Sequence, residues 1–133
     1  MSEKVIGVLC YQGGGDLHLK ALEILGLSHK KIFYQDQFKD LDGLILPGGE
    51  SSVQYQYCLK YGLIDKIIEF AKTGKPMLGT CAGTILLSRY TSSKVNGLGL
   101  IDIDVERNSY GKQINSGVKV SDFGNDIMFI RAP

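Results

Sequence analysis

Residues 75–87 read KPMLGTCAGTILL, and the fold follows from how that stretch is parsed. An apolar run, Pro76 to Leu78, enters a Gly-Thr-Cys-Ala-Gly turn and leaves through Thr84 to Leu87 at helical spacing. A strand that turns at once into a helix through small residues is the local form of a βα unit. Cys81 stands at the centre of the turn with Gly79 and Gly83 two positions either side, the G-x-nucleophile-x-G pattern in which glycines permit close backbone approach. The helix start would supply unpaired N–H groups and a positive dipole end, which favour a thiolate and an oxyanion. A buried structural cysteine is the alternative.

The same alternation extends outward on both sides. VIGVLCY at 5–11 predicts a buried strand, and DLHLKALEILG predicts a helix with Leu17, Ala21, Leu22, Ile24 and Leu25 at helical spacing and a stop at Gly26. KKIFY predicts a second strand. DGLILPGG at 42–49 predicts a third, whose Pro-Gly-Gly turn leads into a helix capped near Ser51, broken near Gly62, resumed through Leu63, Ile67, Phe70 and Ala71, and ended at Gly74. KPMLGTC and AGTILLSRY supply the fourth strand and its helix, and TSSKVNG at 91–97 is a loop. From Leu98 the pattern turns strand-like in LGLIDIDVE, SGVKVSD and DIMFIRAP. The fold class expected is α/β, a mostly parallel sheet flanked by helices.

With 133 residues, 44% hydrophobic content and a formal charge of +1, the chain reads as one domain with a real core and without a nucleic-acid electrostatic footprint. It carries no apolar run of membrane-spanning length and no signal-peptide layout at the N-terminus, so a cytoplasmic location is the expectation. Cys10, Cys58 and Cys81 follow neither disulfide nor zinc spacing, which predicts reduced thiols, with Cys10 and Cys58 as packing residues and no metal site.

In an open α/β sheet ligands collect outside the carboxyl ends of the strands. Three turns leave such ends here: QGGGD, PGGESS and GTCAGT. Gly48 and Gly49 offer unhindered amides for an oxyanion, and Glu50 an acceptor for a substrate amine, although taken alone a plain turn with a helix cap at Ser51 is the stronger reading. QGGGD fits neither dinucleotide nor phosphate-loop spacing. Arg107 and Arg131 are cations suited to a carboxylate, or else solvated. His18 falls on the first helix, as a surface, interface or catalytic residue, and His29 reads as a loop histidine.

Together VIGVLCYQG, DGLILPGGESS, GKPMLGTCAGTILLS, VERNSYGKQINS and FIRAP, in that order over essentially the whole chain, resemble the class I (triad) glutamine amidotransferases, and within them the glutaminase subunits of pyridoxal 5'-phosphate synthase. The Gly-Thr-Cys-Ala-Gly turn carries the wider class; RNSYGKQ and IRAP carry the vitamin B6 branch. The resemblance implies a flavodoxin-like three-layer fold in a single amidotransferase domain spanning 1–133. It implies that Cys81 attacks the carboxamide of L-glutamine through a thioester, with ammonia leaving. Gly48, Gly49, Glu50, Arg107, Ile130 and Arg131 match substrate-binding positions, Gly49 and Ala82 the oxyanion donors, and Gln12 and His18 positions near the site and toward the synthase partner. No cofactor is implied, since pyridoxal phosphate is the partner's product.

In the family the base is a histidine, oriented by a glutamate, in a His-Pro-Glu motif well beyond the Ile-Arg-Ala-Pro segment. That places both outside the 133 residues, so the domain is expected to be incomplete at its C-terminus and this stretch inactive alone. A non-catalytic glutamine-binding or regulatory relative is the alternative. The sequence also departs from the family at Tyr110 (usually Phe), Lys112 (usually Arg), Gly117 (usually aromatic) and around Gln54 to Gln56, where an arginine is common. These departures bear on partner docking.

Overall fold

Apolar side chains alternate between two cores along the central strands, the period-2 signature of a sheet covered on both faces. In β1 (Val5–Leu9) Val8 enters one core and Leu9 the other, and in β3 (Gly43–Leu46) Ile45 joins Val8 while Leu44 and Leu46 join Leu9. The computed structural model describes residues 3–11, 14–106, 117–120, 124 and 126–129. Two compact units are distinguished, residues 1–103 and residues 104–133.

The first unit holds a four-stranded sheet in the order β2-β1-β3-β4, with β2 at Ser28–Ile32 and β4 at Met77–Gly79. Every pairing in it is parallel, with Val5 opposite Ser28, Val8 opposite Ile45 and Leu46 opposite Gly79. Helix α1 (Asp16–Ile24) packs Leu19 and Leu22 on the core of Val8, Cys10 and Ile45. Helices α2 (Ser51–Lys60), α3 (Leu63–Lys72) and α4 (Ala82–Leu87) supply Cys58, Leu63, Ile67, Phe70, Leu86 and Leu87 to the opposite core. Helices on both faces of a parallel sheet make the three-layer α/β fold that the alternating pattern predicted.

Gly62 separates α2 from α3 in a left-handed conformation, φ 69°, which glycine adopts without steric cost. Beyond α4 the chain runs back over that helix, Leu98 and Leu100 donating backbone bonds to Leu86 and Leu87. In the second unit β5 (Gly117–Val120) and β6 (Asp126–Phe129) form an antiparallel pair.

Four expectations need correction. The second strand lies earlier than KKIFY, so His29 is a strand residue opposite Ile6, its Nδ1 donating to the Leu27 carbonyl at 2.8 Å. In α1 the buried face is Leu19 and Leu22, whereas Leu17 and Ile24 are 82% and 76% exposed and Leu25 is exposed as well. Residues 98–106 form no strand; the amides of Leu98, Leu100 and Ile101 bond back to the Leu86 and Leu87 carbonyls of α4, and that of Gly99 to the Ser88 carbonyl just past it. The cap of α2 is Glu50, one residue before the Ser51 expected; Ser51 is buried as the first helical residue.

Candidate active site

Chain order and spatial order part company between β1 and β3. The chain leaves β1 toward β2 on one side, then crosses to β3 on the other, and this reversal opens a crevice at the carboxyl ends of the strands. Three of those ends face it: Cys10 and Tyr11 after β1, Pro47 to Glu50 after β3, and Thr80 and Cys81 after β4.

Cys81 is the N-cap of α4 and is exposed, with φ 49° and ψ −112°. Only one other described non-glycine residue, Asp40, has a positive φ. Such a conformation costs about 1–3 kcal/mol and persists where its surroundings enforce it. The neighbouring glycines do the enforcing. A Cβ on Gly83 would lie 1.8 Å from the Leu46 carbonyl oxygen, and one on Gly79 would lie 2.9 Å from the Gly83 backbone. Only bare backbone lets α4 begin this close to β3. The turn is closed by Gly83 N–H to the Thr80 carbonyl at 2.9 Å, Thr80 N–H to the Leu46 carbonyl at 3.0 Å, and Thr84 Oγ1 to the Gly79 carbonyl at 2.8 Å.

Gly48 borders the cysteine directly: a Cβ there would come within 3.2 Å of the Cys81 Cβ. Gly49 follows at φ 135°, and a Cβ there would fall 2.1 Å from the Tyr11 hydroxyl oxygen. Ala82, the buried first residue of α4, has an N–H that helix geometry leaves without an intrahelical acceptor. The amides of Gly49 and Ala82 therefore belong to the two turns flanking the thiol. Glu50 caps α2, its carboxylate accepting from Ser52 N at 3.1 Å, Val53 N at 3.0 Å and the Ser52 hydroxyl. It is exposed.

His18, in α1, reaches across to the turn, with Nε2 and Thr80 Oγ1 3.0 Å apart. The contact sets an imidazole beside the residue preceding Cys81, 62 positions away in sequence. Gln12, Arg107, Ile130 and Arg131 lie outside the described residues, as do Tyr110 and Lys112. Gln54 is fully buried and donates Nε2 to the Pro47 carbonyl at 3.0 Å, so it braces the β3 turn and is not a docking residue.

Two participants had no sequence signal assigned to them. Tyr11, read only as the end of a strand, is buried and donates its hydroxyl to the Gly48 carbonyl at 3.2 Å. Burial, then the nearby Glu50 carboxylate and the thiols of Cys58 and Cys81, push that hydroxyl up to about 12. Thr80, read as a turn residue, carries the His18 contact. Tyr11's position at a strand carboxyl end was the available signal, given the β1-β3 adjacency. Burial also pushes the Cys58 thiol up to about 12 and raises that of Cys10. All three cysteines are free thiols, and Cys81 alone is exposed.

An exposed cysteine in a strained strand-to-helix turn, with Gly48 beside it, is the arrangement that α/β enzymes of cysteine-nucleophile acyl transfer use. The chain belongs to the SNO glutamine amidotransferase family, whose model matches residues 8–133. It is 46% identical over 136 residues to the pyridoxal 5'-phosphate synthase subunit PdxT of Caldicellulosiruptor saccharolyticus, covering 98% of this chain and 72% of that protein. A protein of the same name from Brevibacillus brevis is 43% identical over 134 residues, covering 96% and 70%. Among solved structures, a glutamine amidotransferase crystal structure superposes with a TM-score of 0.80 at 34% identity, covering 96% of this chain and 71% of that one. Among the described residues no helix is long and apolar enough to cross a membrane.

Proposed function

We propose that this chain is a glutaminase subunit that hydrolyses L-glutamine to L-glutamate and ammonia and passes the ammonia to a pyridoxal 5'-phosphate synthase subunit, acting in the cytoplasm. Its family membership and its PdxT relatives support the activity and the partner. The observation that carries the chemistry is the exposed Cys81 at φ 49°, with Gly48 against its Cβ.

The Cys81 thiolate adds to the side-chain carbonyl carbon of glutamine, and the C=O π pair moves onto oxygen. The N–H groups of Gly49 and Ala82 stabilise that oxyanion, where preorganised donors contribute most. Collapse breaks the C–N bond, the nitrogen takes a proton and leaves as ammonia, and a γ-glutamyl thioester remains. Water adds to the thioester, and glutamate leaves with return of the thiol. Glu50 accepts from the substrate's α-amine beside its capping bonds; the resemblance assigns Gly48 and Ile130 to substrate binding and Arg107 and Arg131 to the α-carboxylate. His18 steadies the turn through Thr80, and the resemblance assigns it and Gln12 to positions toward the synthase. The resemblance assigns proton transfer at the thiol to a histidine further along the family's sequence, so His18 is not given that role.

Ammonia release from glutamine, measured in the complex with the synthase, tests the assignment. Cys81→Ser should abolish it. Arg107→Ala and Arg131→Ala should each raise KM about tenfold or more, because a charge-assisted hydrogen bond to a carboxylate contributes roughly 1.5–3 kcal/mol. Wild-type turnover by Cys81→Ser would refute the nucleophile, and unchanged KM in both arginine variants would refute the clamp.

A further inference from the structure

Two consecutive glycines make the Gly48–Gly49 peptide the least constrained part of the crevice, because neither residue has a Cβ to restrict rotation about that plane. A peptide group is planar and trans, so its C=O and N–H point opposite ways, and whatever fixes the Gly48 carbonyl also fixes the direction of the Gly49 N–H. The described residue whose side chain bonds that carbonyl is Tyr11, at 3.2 Å. We propose that Tyr11 is a positioning residue for glutamine hydrolysis: its hydroxyl holds the Gly48 carbonyl and thereby aims the Gly49 N–H at the oxyanion formed on Cys81. This rests on the assignment of Cys81 and Gly49 made above.

Tyr11 is built to hold one orientation. It is 3% exposed, at the end of β1. Its ring lies 6.3 Å from that of Tyr57, whose own hydroxyl donates to the Phe33 carbonyl at 3.1 Å. The Tyr11 hydroxyl also fills the space in which a side chain on Gly49 would stand, since a Cβ there would lie 2.1 Å from it. With Tyr11 in place, position 49 has no room for a side chain. With its pKa pushed up to about 12, the hydroxyl stays protonated, and so remains a donor, throughout the neutral range.

The test is Tyr11→Phe, which keeps the ring and removes one oxygen, assayed as the complex with the synthase partner. The expected result is a fall in kcat of about tenfold to a hundredfold with KM within about twofold, below the 10²- to 10³-fold cost of deleting an oxyanion donor outright. Glutamine binding measured by calorimetry in a Cys81→Ala background should be the same with Tyr11 and with Tyr11→Phe. Alkylation of Cys81 by a diazoketone analogue of glutamine, followed by intact mass, should slow in Tyr11→Phe in step with kcat. Tyr55→Phe removes a half-buried hydroxyl from α2 and should leave kcat unchanged. Wild-type kcat in Tyr11→Phe, a rise in KM alone, or an equal kcat loss in Tyr55→Phe would each overturn the inference. Wild-type turnover by Cys81→Ser would instead overturn the reading beneath it.

Discussion

Replacing Gly83 by Ala should unmake the Cys81 turn, by an amount that can be worked from the backbone. The new Cβ would sit 1.8 Å from the Leu46 carbonyl oxygen, 2.5 Å from its carbonyl carbon and 2.9 Å from its Cβ. The first separation is about 1.2 Å inside the closest approach a real Cβ makes. No flexible side chain can yield, because two of the three atoms are backbone of the central strand β3. Either α4 lifts or Leu46 retreats, and either movement strains the Thr80 N–H to Leu46 carbonyl bond, 3.0 Å long, that seats the turn. Overpacking costs about 1–3 kcal/mol and a lost backbone bond about 0.5–1.5, while Ala regains roughly 0.5–1 as a better helix former. The expected net loss is about 0.5–4 kcal/mol, centred on about 2, against a typical domain's roughly 5–15 kcal/mol. Urea unfolding gives the first readout. Glutamine turnover in the complex gives the second, and it should fall with the displacement of Cys81. Gly74→Ala is the control: it has φ 75° but nothing within 4 Å of the added Cβ, so it should lose only the left-handed penalty of about 1–2 kcal/mol and keep its turnover. A Gly83→Ala protein as stable and as active as the parent would refute the close-approach argument.

Brief iodoacetamide treatment at neutral pH should label Cys81 ahead of Cys10 and Cys58, since Cys81 is exposed and burial raises the other two; peptide mapping showing equal labelling would contradict this. Alkaline solution should destabilise the fold from about pH 9 to 12, because the unfolded chain releases protons that the folded Cys58 and Tyr11, both pushed up to about 12, retain. The slope is at most about 1.4 kcal/mol per pH unit for each group, and denaturant midpoints measured across that window should fall less steeply for Cys58→Ala; identical slopes would remove the thiol's part.

What could be read from the sequence was local. The Cys81 turn was legible because its requirement is local: glycines two positions either side of the cysteine are needed for α4 to begin against β3. Strand-to-helix alternation likewise located β1, β3, β4 and the break at Gly62, each announced by an apolar run or a glycine within a few residues. The face of α1 was not legible, because apolar residues surround it: Leu17, Ile24 and Leu25 compete in pattern with Leu19 and Leu22, and the tertiary placement against Val8 and Ile45 decides between them. Residues 98–106 have strand-like composition, yet the amides of Leu98, Leu100 and Ile101 are satisfied by the carbonyls of α4, a choice that periodicity does not report. Tyr11 and the His18–Thr80 contact were invisible for a further reason, since each joins elements that become neighbours only through the β2-β1-β3-β4 order.

The account rests most heavily on covalent catalysis by Cys81, and one measurement addresses it without inference from rates. The complex with the synthase subunit is mixed with glutamine, quenched in acid during turnover, digested and examined by mass spectrometry. The account predicts a γ-glutamyl adduct on the peptide carrying Cys81, absent without glutamine and absent from Cys81→Ser. Steady ammonia release with no adduct on that peptide, or with the adduct on Cys10 or Cys58 instead, would contradict it.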